Sequence, residues 1–444
     1  MPAVSKKSRR RTALALLCAS LLPLTGRAQE APPVGEEPPQ RLEEGLEARQ
    51  ERFAPSTATN VAMLPVRLIE LPFRVLNYPV EHWLVRKRPS PLSQKIGAFL
   101  VAADARGVSI EAHLESGHSG IGGGVGYRLP RTVTGPVNLR FFAGATNRLY
   151  QQYYVQLDTL RAGGTAGLLR GQFLVLPQED FYGIGIDSQL EQRSTYELQV
   201  TSGVYQGALA AARNLGLEFD IGFTRTDIFA GEDKNFPVAQ SLFPGIEGLQ
   251  GRFDFLEGGL ALAWDRRDSE RYASRGNYVR ASLHVAGGLG DTDNAFAKYG
   301  LELRQYVPLP GARRVLGLRL AGTITDNLAD RDIPFFRLER LGGSRTLRGV
   351  QTYRFTDKDM LWGGVEYRFP FWYIGLESGA AIDALVFYDF GTVMPNLEEV
   401  QWRDLQSSGG FGFRIVSRQT VFLRIDAAWS GEDSRVHLGF GRLH

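Results

Sequence analysis

Apolar and polar residues alternate with a period of two through most of this chain, and few folds accommodate that pattern over so many segments. In 277–286, Val279, Ala281, Leu283 and Val285 face one way while Arg280, Ser282 and His284 face the other. In 214–227, Leu215, Leu217, Phe219, Ile221 and Phe223 oppose Glu218, Asp220 and Thr224. Near the end, Val421, Leu423, Ile425 and Trp429 oppose Arg424 and Asp426. Each reads as a strand with one apolar and one polar face. Sixteen such segments are expected, at 107–116, 119–129, 136–147, 148–160, 165–176, 194–208, 214–228, 253–266, 275–288, 296–308, 313–325, 360–371, 380–393, 407–417, 419–430 and 435–443.

A soluble sandwich alternates too, so the lengths decide. Segments of about ten residues or more can cross a bilayer as tilted strands. Short connections such as Leu309-Pro310-Gly311 contrast with long ones near 177–193, 229–252 and 326–359. Short turns on one side and long loops on the other belong to an outer-membrane barrel. The fold class expected is therefore all-β: a 16-stranded antiparallel transmembrane β-barrel over 107–444, behind a short N-terminal periplasmic extension.

The start of the chain agrees with export. Residues 1–28 carry a basic stretch (Lys6, Lys7, Arg9, Arg10, Arg11), an apolar run over 13–24, and Gly26-Arg27-Ala28 before Gln29. That is the layout of a cleavable secretory signal, and the run is shorter than the about 20 apolar residues that span a bilayer. The only cysteine, Cys18, lies inside this leader behind Leu17 rather than a small residue, which argues against a lipid anchor. Beyond the leader no thiol remains, which excludes disulfides, cysteine-based zinc sites and a cysteine nucleophile. Six of the 51 basic residues lie in the leader and no acidic one does, so the remainder carries 45 against 48. The basic balance belongs to the leader and gives no support for a nucleic-acid partner. After residue 28 no apolar run is long enough for a membrane helix, so a membrane crossing must be made by strands.

Residues 29–60, rich in Pro, Glu and Gln, read as a flexible linker. In 61–106, Leu64, Val66, Leu68, Ile69, Leu71, Phe73, Val75 and Leu76 are broken by Pro65, Pro72 and Pro79 and followed by Trp83, Arg86, Lys87 and Arg88. An apolar body with a basic and aromatic end suggests a segment at the membrane interface; packing on or inside the barrel base is the competing reading.

One long connection concentrates unusual residues: Leu341-Gly342-Gly343-Ser344, then Leu347-Arg348-Gly349. Downstream come Trp362-Gly363-Gly364-Val365-Glu366-Tyr367-Arg368-Phe369-Pro370 and Phe387-Tyr388-Asp389-Phe390-Gly391; upstream, Trp264-Asp265-Arg266-Arg267-Asp268 precedes Gly276. Together these resemble the BamA/TamA family of outer-membrane proteins, the bacterial surface antigens, most sharply over 253–444. The resemblance implies that the loop folds back into the barrel and that its arginine is held by acidic residues on neighbouring strands. It implies insertion or translocation of proteins, or of lipids, through a gate that loop 342–350 and the first and last strands control.

The residues also speak without the family. Alternation puts Glu366 and Arg368 on one face, opposite Val365, Tyr367 and Phe369, so Glu366 points into the lumen. With Asp389 inward, Arg348 can meet two carboxylates in a confined space. A guanidinium forks onto carboxylates with directional hydrogen bonds and can fix a loop where lysine could not. Gly342, Gly343 and Gly349 allow sharp turns and close approach to the wall. The expected loop lock is thus Gly342, Gly343, Ser344, Leu347, Arg348 and Gly349, with Glu366, Arg368, Asp389 and Gly391 as its lumenal partners. A loop plug with no part in transport and a gate both fit these residues.

Three positions depart from the family. Val350 stands where an aromatic residue is usual, which suggests looser packing of the loop tip. The last strand closes on His444 instead of an aromatic residue. Residues 29–90 are too short and Pro-rich to form a POTRA module, so the chain resembles the minimal branch without them. Gly117 to Gly126 lacks the Gly-Lys-Ser/Thr ending of a phosphate loop, and neither a Gly-x-Ser-x-Gly elbow nor His-Glu-x-x-His occurs. The sequence therefore points to no enzyme, cofactor or metal. The partners it implies are outer-membrane lipid, a polypeptide or lipid substrate, and the barrel assembly machinery for its own insertion. A passive pore or structural surface protein is the competing class.

Overall fold

The computed structural model describes residues 63, 65–74, 107–114, 119–129, 137–162, 165–311, 313–375, 380–417 and 420–440. The expected leader, the linker, Trp83 to Arg88 and His444 lie outside them. The strands are β1 (Val108–Leu114), β2 (Ile121–Arg128), β3 (Asn138–Thr146), β4 (Gln151–Ala162), β5 (Thr165–Phe181), β6 (Ser194–Ala212), β7 (Leu215–Ala230), β8 (Gly251–Asp265), β9 (Gly276–Gly288), β10 (Ala295–Pro308), β11 (Val315–Asn327), β12 (Glu339–Leu341), β13 (Phe355–Asp357), β14 (Asp359–Gly375), β15 (Ala380–Met394), β16 (Gln406–Ser417), β17 (Thr420–Ser430) and β18 (Ser434–Phe440).

All but β12 and β13 join one 16-stranded antiparallel sheet in chain order, β11 pairing directly with β14. The ends of that order, β1 and β18, approach within 8 Å between Cα atoms, so the sheet comes round on itself. Among the described residues no hydrogen-bonded ladder joins these two edges. Each of the sixteen expected segments coincides with one strand of this sheet. The main differences are extensions: β5 runs on to Phe181 and β14 to Gly375. Both carry a register shift, between Leu176 and Glu179 in β5 and between Pro370 and Trp372 in β14. A bulge inserts an unpaired residue and breaks the period-two pattern, so the alternation ends before the strand does. The three-residue β12 and β13 pair with each other in the connection between β11 and β14 and are too short to show periodicity.

The two faces of the sheet differ as the alternation requires. Val155, Ile221, Leu256, Leu260 and Tyr388 stand exposed on the outer face, where hydrocarbon replaces water. The inner face carries ion pairs such as Arg140 with Asp158, Arg280 with Glu218 and Arg319 with Glu302. At the long-loop end Phe181, Tyr196, Phe255, Phe296 and Phe335 form a buried apolar cap. Phe335 sits 4.8 Å from both the Phe181 and Tyr196 rings, and the short helix α2 (Ala239–Leu242) lies in the β7–β8 loop beside this cap.

A helix over 65–74, α1, precedes the barrel. Proline suits its first turn, because Pro65 lacks only an N–H that has no intrahelical partner there. Val66, Glu70 and Phe73 are the residues turned inward, at the three- and four-residue spacing of one helical face. Phe73 packs edge-on against Phe369 at 5.3 Å, Phe411 at 5.9 Å and Phe413 at 6.0 Å. Those residues belong to the outer face, opposite Glu366, so α1 lies on the outside of the wall formed by β14 to β16. Glu70 is buried, yet it accepts from Arg314 at 2.7 and 3.0 Å, from the Tyr367 hydroxyl at 2.6 Å and from Arg74 at 2.8 Å.

Burial alone would raise the Glu70 pKa, but donation by Arg314 and Tyr367 and the charge of Arg314 outweigh it and hold the carboxyl below its ordinary value of 4.5. A folded-state pKa below the unfolded one contributes stability that is complete above the unfolded value and is lost as pH falls through the folded one. We expect α1 to stay docked at neutral and mildly acidic pH. Hydrogen exchange of its amides should be slower than in Glu70→Ala at pH 7, and the two proteins should converge as pH falls through the lowered Glu70 value, below the ordinary carboxylate range. Equal exchange at pH 7 would show that this cluster does not hold the helix.

Candidate functional site

The connection from β11 to β14, residues 328–358, turns inward and presents its glycine-rich segment to the inner face of the wall. Gly342 and Gly343 adopt φ of 120° and 90°, values that strain any residue with a Cβ. The turn closes on itself: the Gly343 amide donates to the carbonyls of Leu347 and Val350, both at 3.1 Å, and the Gly342 amide to the Thr346 hydroxyl at 2.9 Å. Leu341, Leu347 and Val350 bury their side chains with Phe355, Trp362 and Val393. The expected looser packing at Val350 is therefore corrected: its side chain is 2% exposed. The branched valine is filled in by Leu347, Phe355 and the inward Trp362, so no aromatic residue is needed there.

This seat carries Arg348 to the middle of β14 and β15. Its Nε donates to Asp389 Oδ2 at 2.8 Å and its Nη2 to Oδ1 at 2.7 Å, a bidentate fork. Its backbone amide also points to Oδ2, at 3.3 Å. Nη1 reaches Glu366 Oε2 at 3.3 Å and lies 4.0 Å from Asp426. The guanidinium stacks 3.3 Å above the Phe387 ring, which supplies a cation–π contact in a desolvated place. Burial would favour loss of its proton, but the Asp389 hydrogen bonds and the surrounding carboxylates raise the pKa instead, so the group remains charged.

The loop backbone is also tied to the last strands. Arg424 Nη2 donates to the Ser344 carbonyl at 2.7 Å, and the Ser430 hydroxyl to the Gly349 carbonyl at 2.9 Å. His437 of β18 lies 2.7 Å from the Arg348 carbonyl through Nε2, which must carry the proton to donate there. Gly349 is required for this approach: a Cβ would lie 2.5 Å from the Trp429 carbonyl carbon and 2.8 Å from Ser408 Cβ.

Of the expected partners, Glu366 and Asp389 meet Arg348 and two do not. Gly391 leaves room for the loop, since a Cβ there would lie 3.0 Å from Leu341 Cδ1 and 2.8 Å from Trp362 Cβ. Arg368 points the other way. It sits 3.6 Å from Glu366, donates to the Ala273 carbonyl and stacks 4.4 Å over the Tyr272 ring. Tyr272 donates to Asp383 at 2.9 Å, and Arg313 binds the same carboxylate at 2.7 Å. A continuous line of polar contacts thus crosses the lumen from the long loop to the turns β8–β9 and β10–β11. The Asp-rich turn is ordered by its own side chains: Asp265 is paired with Arg267 at 2.6 Å, and Asp268 accepts from the Ser274 and Arg275 amides.

Several residues of this arrangement are missed by reading motifs. Asp426, held by Arg414 at 2.6 Å and Arg424 at 2.5 Å, lies on the polar face of β17. His437 belongs to the same inward set, being paired across the ladder with Asp426, and strand parity alone could have found it. Arg354 has no such signal. It is buried over Tyr182, bound to Glu432 at 3.0 Å and to the Ser188 carbonyl at 2.7 Å, and so joins three loops distant in sequence.

No curated protein matches the chain. Among solved structures, BamA from Haemophilus ducreyi lacking POTRA domains 1–3 superposes with a TM-score of 0.57 at 13% identity, over 76% of this chain and 70% of that one. CdiB from Escherichia coli gives 0.50 at 10% identity, over 76% and 62% of the respective chains. At such identities the likeness is one of fold. The Omp85 superfamily domain matches residues 106–442, three quarters of the sequence, and with the barrel, its inward loop and the family's strand motifs in place, the chain belongs to the Omp85 superfamily of outer-membrane β-barrels.

Proposed function

We propose that this chain inserts polypeptides into the outer membrane or moves them across it, with loop 342–350 as the lock of the lumen. The observation that carries this reading is the placement of Arg348. One side chain is forked onto Asp389, while the same residue's carbonyl is bound by His437 of the terminal strand. The lock therefore contacts both the fixed wall at β14–β15 and the terminal strand β18, at the edge where no ladder is formed among the described residues. Residues 1–28 are removed on export, and the barrel assembly machinery inserts the rest.

Charge pairing of this kind adds little net stability, because desolvation offsets most of the attraction, but removing one partner leaves a buried charge. The lock is thus a device for position with a steep cost of half-removal. No group in it is assigned a catalytic role. The competing reading, a passive pore plugged by the loop, uses the same contacts and differs in what the cell loses.

Arg348→Ala is expected to cost about 3 to 5 kcal/mol of loop docking by stranding Asp389 and to raise single-channel conductance in planar bilayers. Arg348→Lys should restore little, since an ammonium cannot make the fork. In cells, the alanine variant and depletion of the protein should both lower the level of other outer-membrane proteins or of a secreted partner. A conductance change with no such loss would support the passive pore. Photocrosslinkers placed along β18 and in the lumen should capture polypeptide; capture of lipid alone would redirect the substrate assignment.

The line of contacts below Arg348 makes a separate expectation. Arg368→Ala removes the link from Glu366 to the β8–β9 turn while leaving the Asp389 fork intact. Proteolysis at 266–275 in detergent should quicken, with cleavage of loop 342–350 unchanged. Parallel acceleration at both places would show that the two ends of the lumen are coupled through Arg368.

A further inference from the structure

The outer position of α1 leaves its other side unexplained. Tyr367, Phe369, Ala384 and Phe413 are covered by or packed with the helix, on a face that elsewhere meets hydrocarbon. The side turned away from the wall is apolar as well: Leu68 is 68%, Leu71 55% and Ile69 41% exposed, with Pro65 and Pro72 between them. At 100° per residue these positions form one broad arc, and Arg67 and Arg74, seven residues apart, fall together on its flank. A helix in water would turn such an arc inward, and Glu70, the one acidic residue in it, is instead the residue that is buried.

From this we infer that α1 is a lipid-binding element, a wedge between the barrel wall and the inner leaflet: its outward arc meets acyl chains, and Arg67 and Arg74 lie level with lipid phosphates. Two observations commit the surface to lipid. The arc is continuous with the exposed outer wall: Phe411, which Phe73 touches, and the cross-strand pair Leu318 and Val365, two residues along β14 from Tyr367, are all exposed. Its height is fixed at the short-turn end, because Glu70 is bound to Arg314 beside the β10–β11 turn, and short turns face the periplasm in barrels of this type. The combination of one specific and one greasy face follows from chemistry. The Glu70 cluster supplies a directional anchor that hydrocarbon cannot compete for, whereas the arc has no polar group to specify a protein partner and gains from lipid by area alone.

The test places an environment-sensitive fluorophore on Leu68→Cys or Leu71→Cys in a Cys18→Ser background, in the full barrel reconstituted into phosphatidylglycerol-containing vesicles. Val365→Cys on the bare wall and Asp330→Cys in the exposed long loop are the references. Nitroxide carried near the headgroup end of the acyl chain should quench positions 68 and 71 as strongly as 365, and several-fold more than 330. Nitroxide at the chain terminus should quench them less than it quenches 365. Quenching of 68 and 71 by aqueous iodide at the level of 330 would overturn the inference in favour of a solvated helix. Protection from both quenchers would overturn it in favour of a protein partner or second copy. In each case retained lipid quenching at 365 shows that the barrel itself is correctly embedded, so the outcome reports on α1 alone.

Discussion

A single guanidinium forked onto a buried carboxylate organises the interior of this barrel. Arg348 and Asp389 meet through two short hydrogen bonds over an aromatic ring, in a space from which water is largely displaced. In such surroundings direction matters more than strength. The net energy of a desolvated pair is small, but the fork has one satisfactory geometry, and a loop of some thirty residues acquires one register from it. The other contacts are consistent with that register: the positive φ of Gly342 and Gly343 sets the turn, Gly349 permits the approach to Trp429, and Leu347 and Val350 fill the space beside Trp362.

The alternation that defines the strands is also what lets one wall serve two purposes. In β14, Glu366 turns inward to the loop while its neighbour Tyr367 turns outward to Glu70 of α1. In β16, Phe411 and Phe413 receive Phe73 from outside while Ser408 lies against Gly349 from inside. A shift of one residue in register would exchange these sets entirely. The bulge after Pro370 comes beyond this region, so the alignment of the two faces is undisturbed where both are in use.

Much of this was legible in the sequence because the governing periodicity is short. Sixteen strands could be read from alternation in one chain, since each strand displays its own two faces. Glu366 is legible for the same reason, its inward face being fixed by parity, whereas Asp389 as a partner of Arg348 rests on the resemblance of the Phe387-Tyr388-Asp389-Phe390-Gly391 strand to the family's. What was not legible depends on approach between distant segments. Arg354 lies in a stretch without periodicity, and its bonds to Glu432 and Ser188 depend on how three loops fold together. Arg368 was grouped with Glu366 by parity, correctly as to face, but parity is silent on height, and the β8–β9 turn that rises to meet it is invisible to strand patterning. The helix over 65–74 carries three-fold spacing obscured by two prolines, and its outer placement depends on one glutamate that composition would assign to solvent.

The distribution of these contacts around the barrel is uneven, and that asymmetry bears on how it could move. Strands β14 to β16 are held from both sides, by α1 outside and by the loop inside, in addition to full ladders with their neighbours. Among the described residues the terminal strand β18 forms a ladder with β17, and it reaches the loop through His437, which lies against the Arg348 carbonyl. Withdrawal of the loop would therefore break the contact between His437 and the Arg348 carbonyl, while β14 and β15 would keep their ladders and α1 on their outer face. On the function proposed above, the event that clears the lumen would also release this contact of the edge strand, because Arg348 takes part in both.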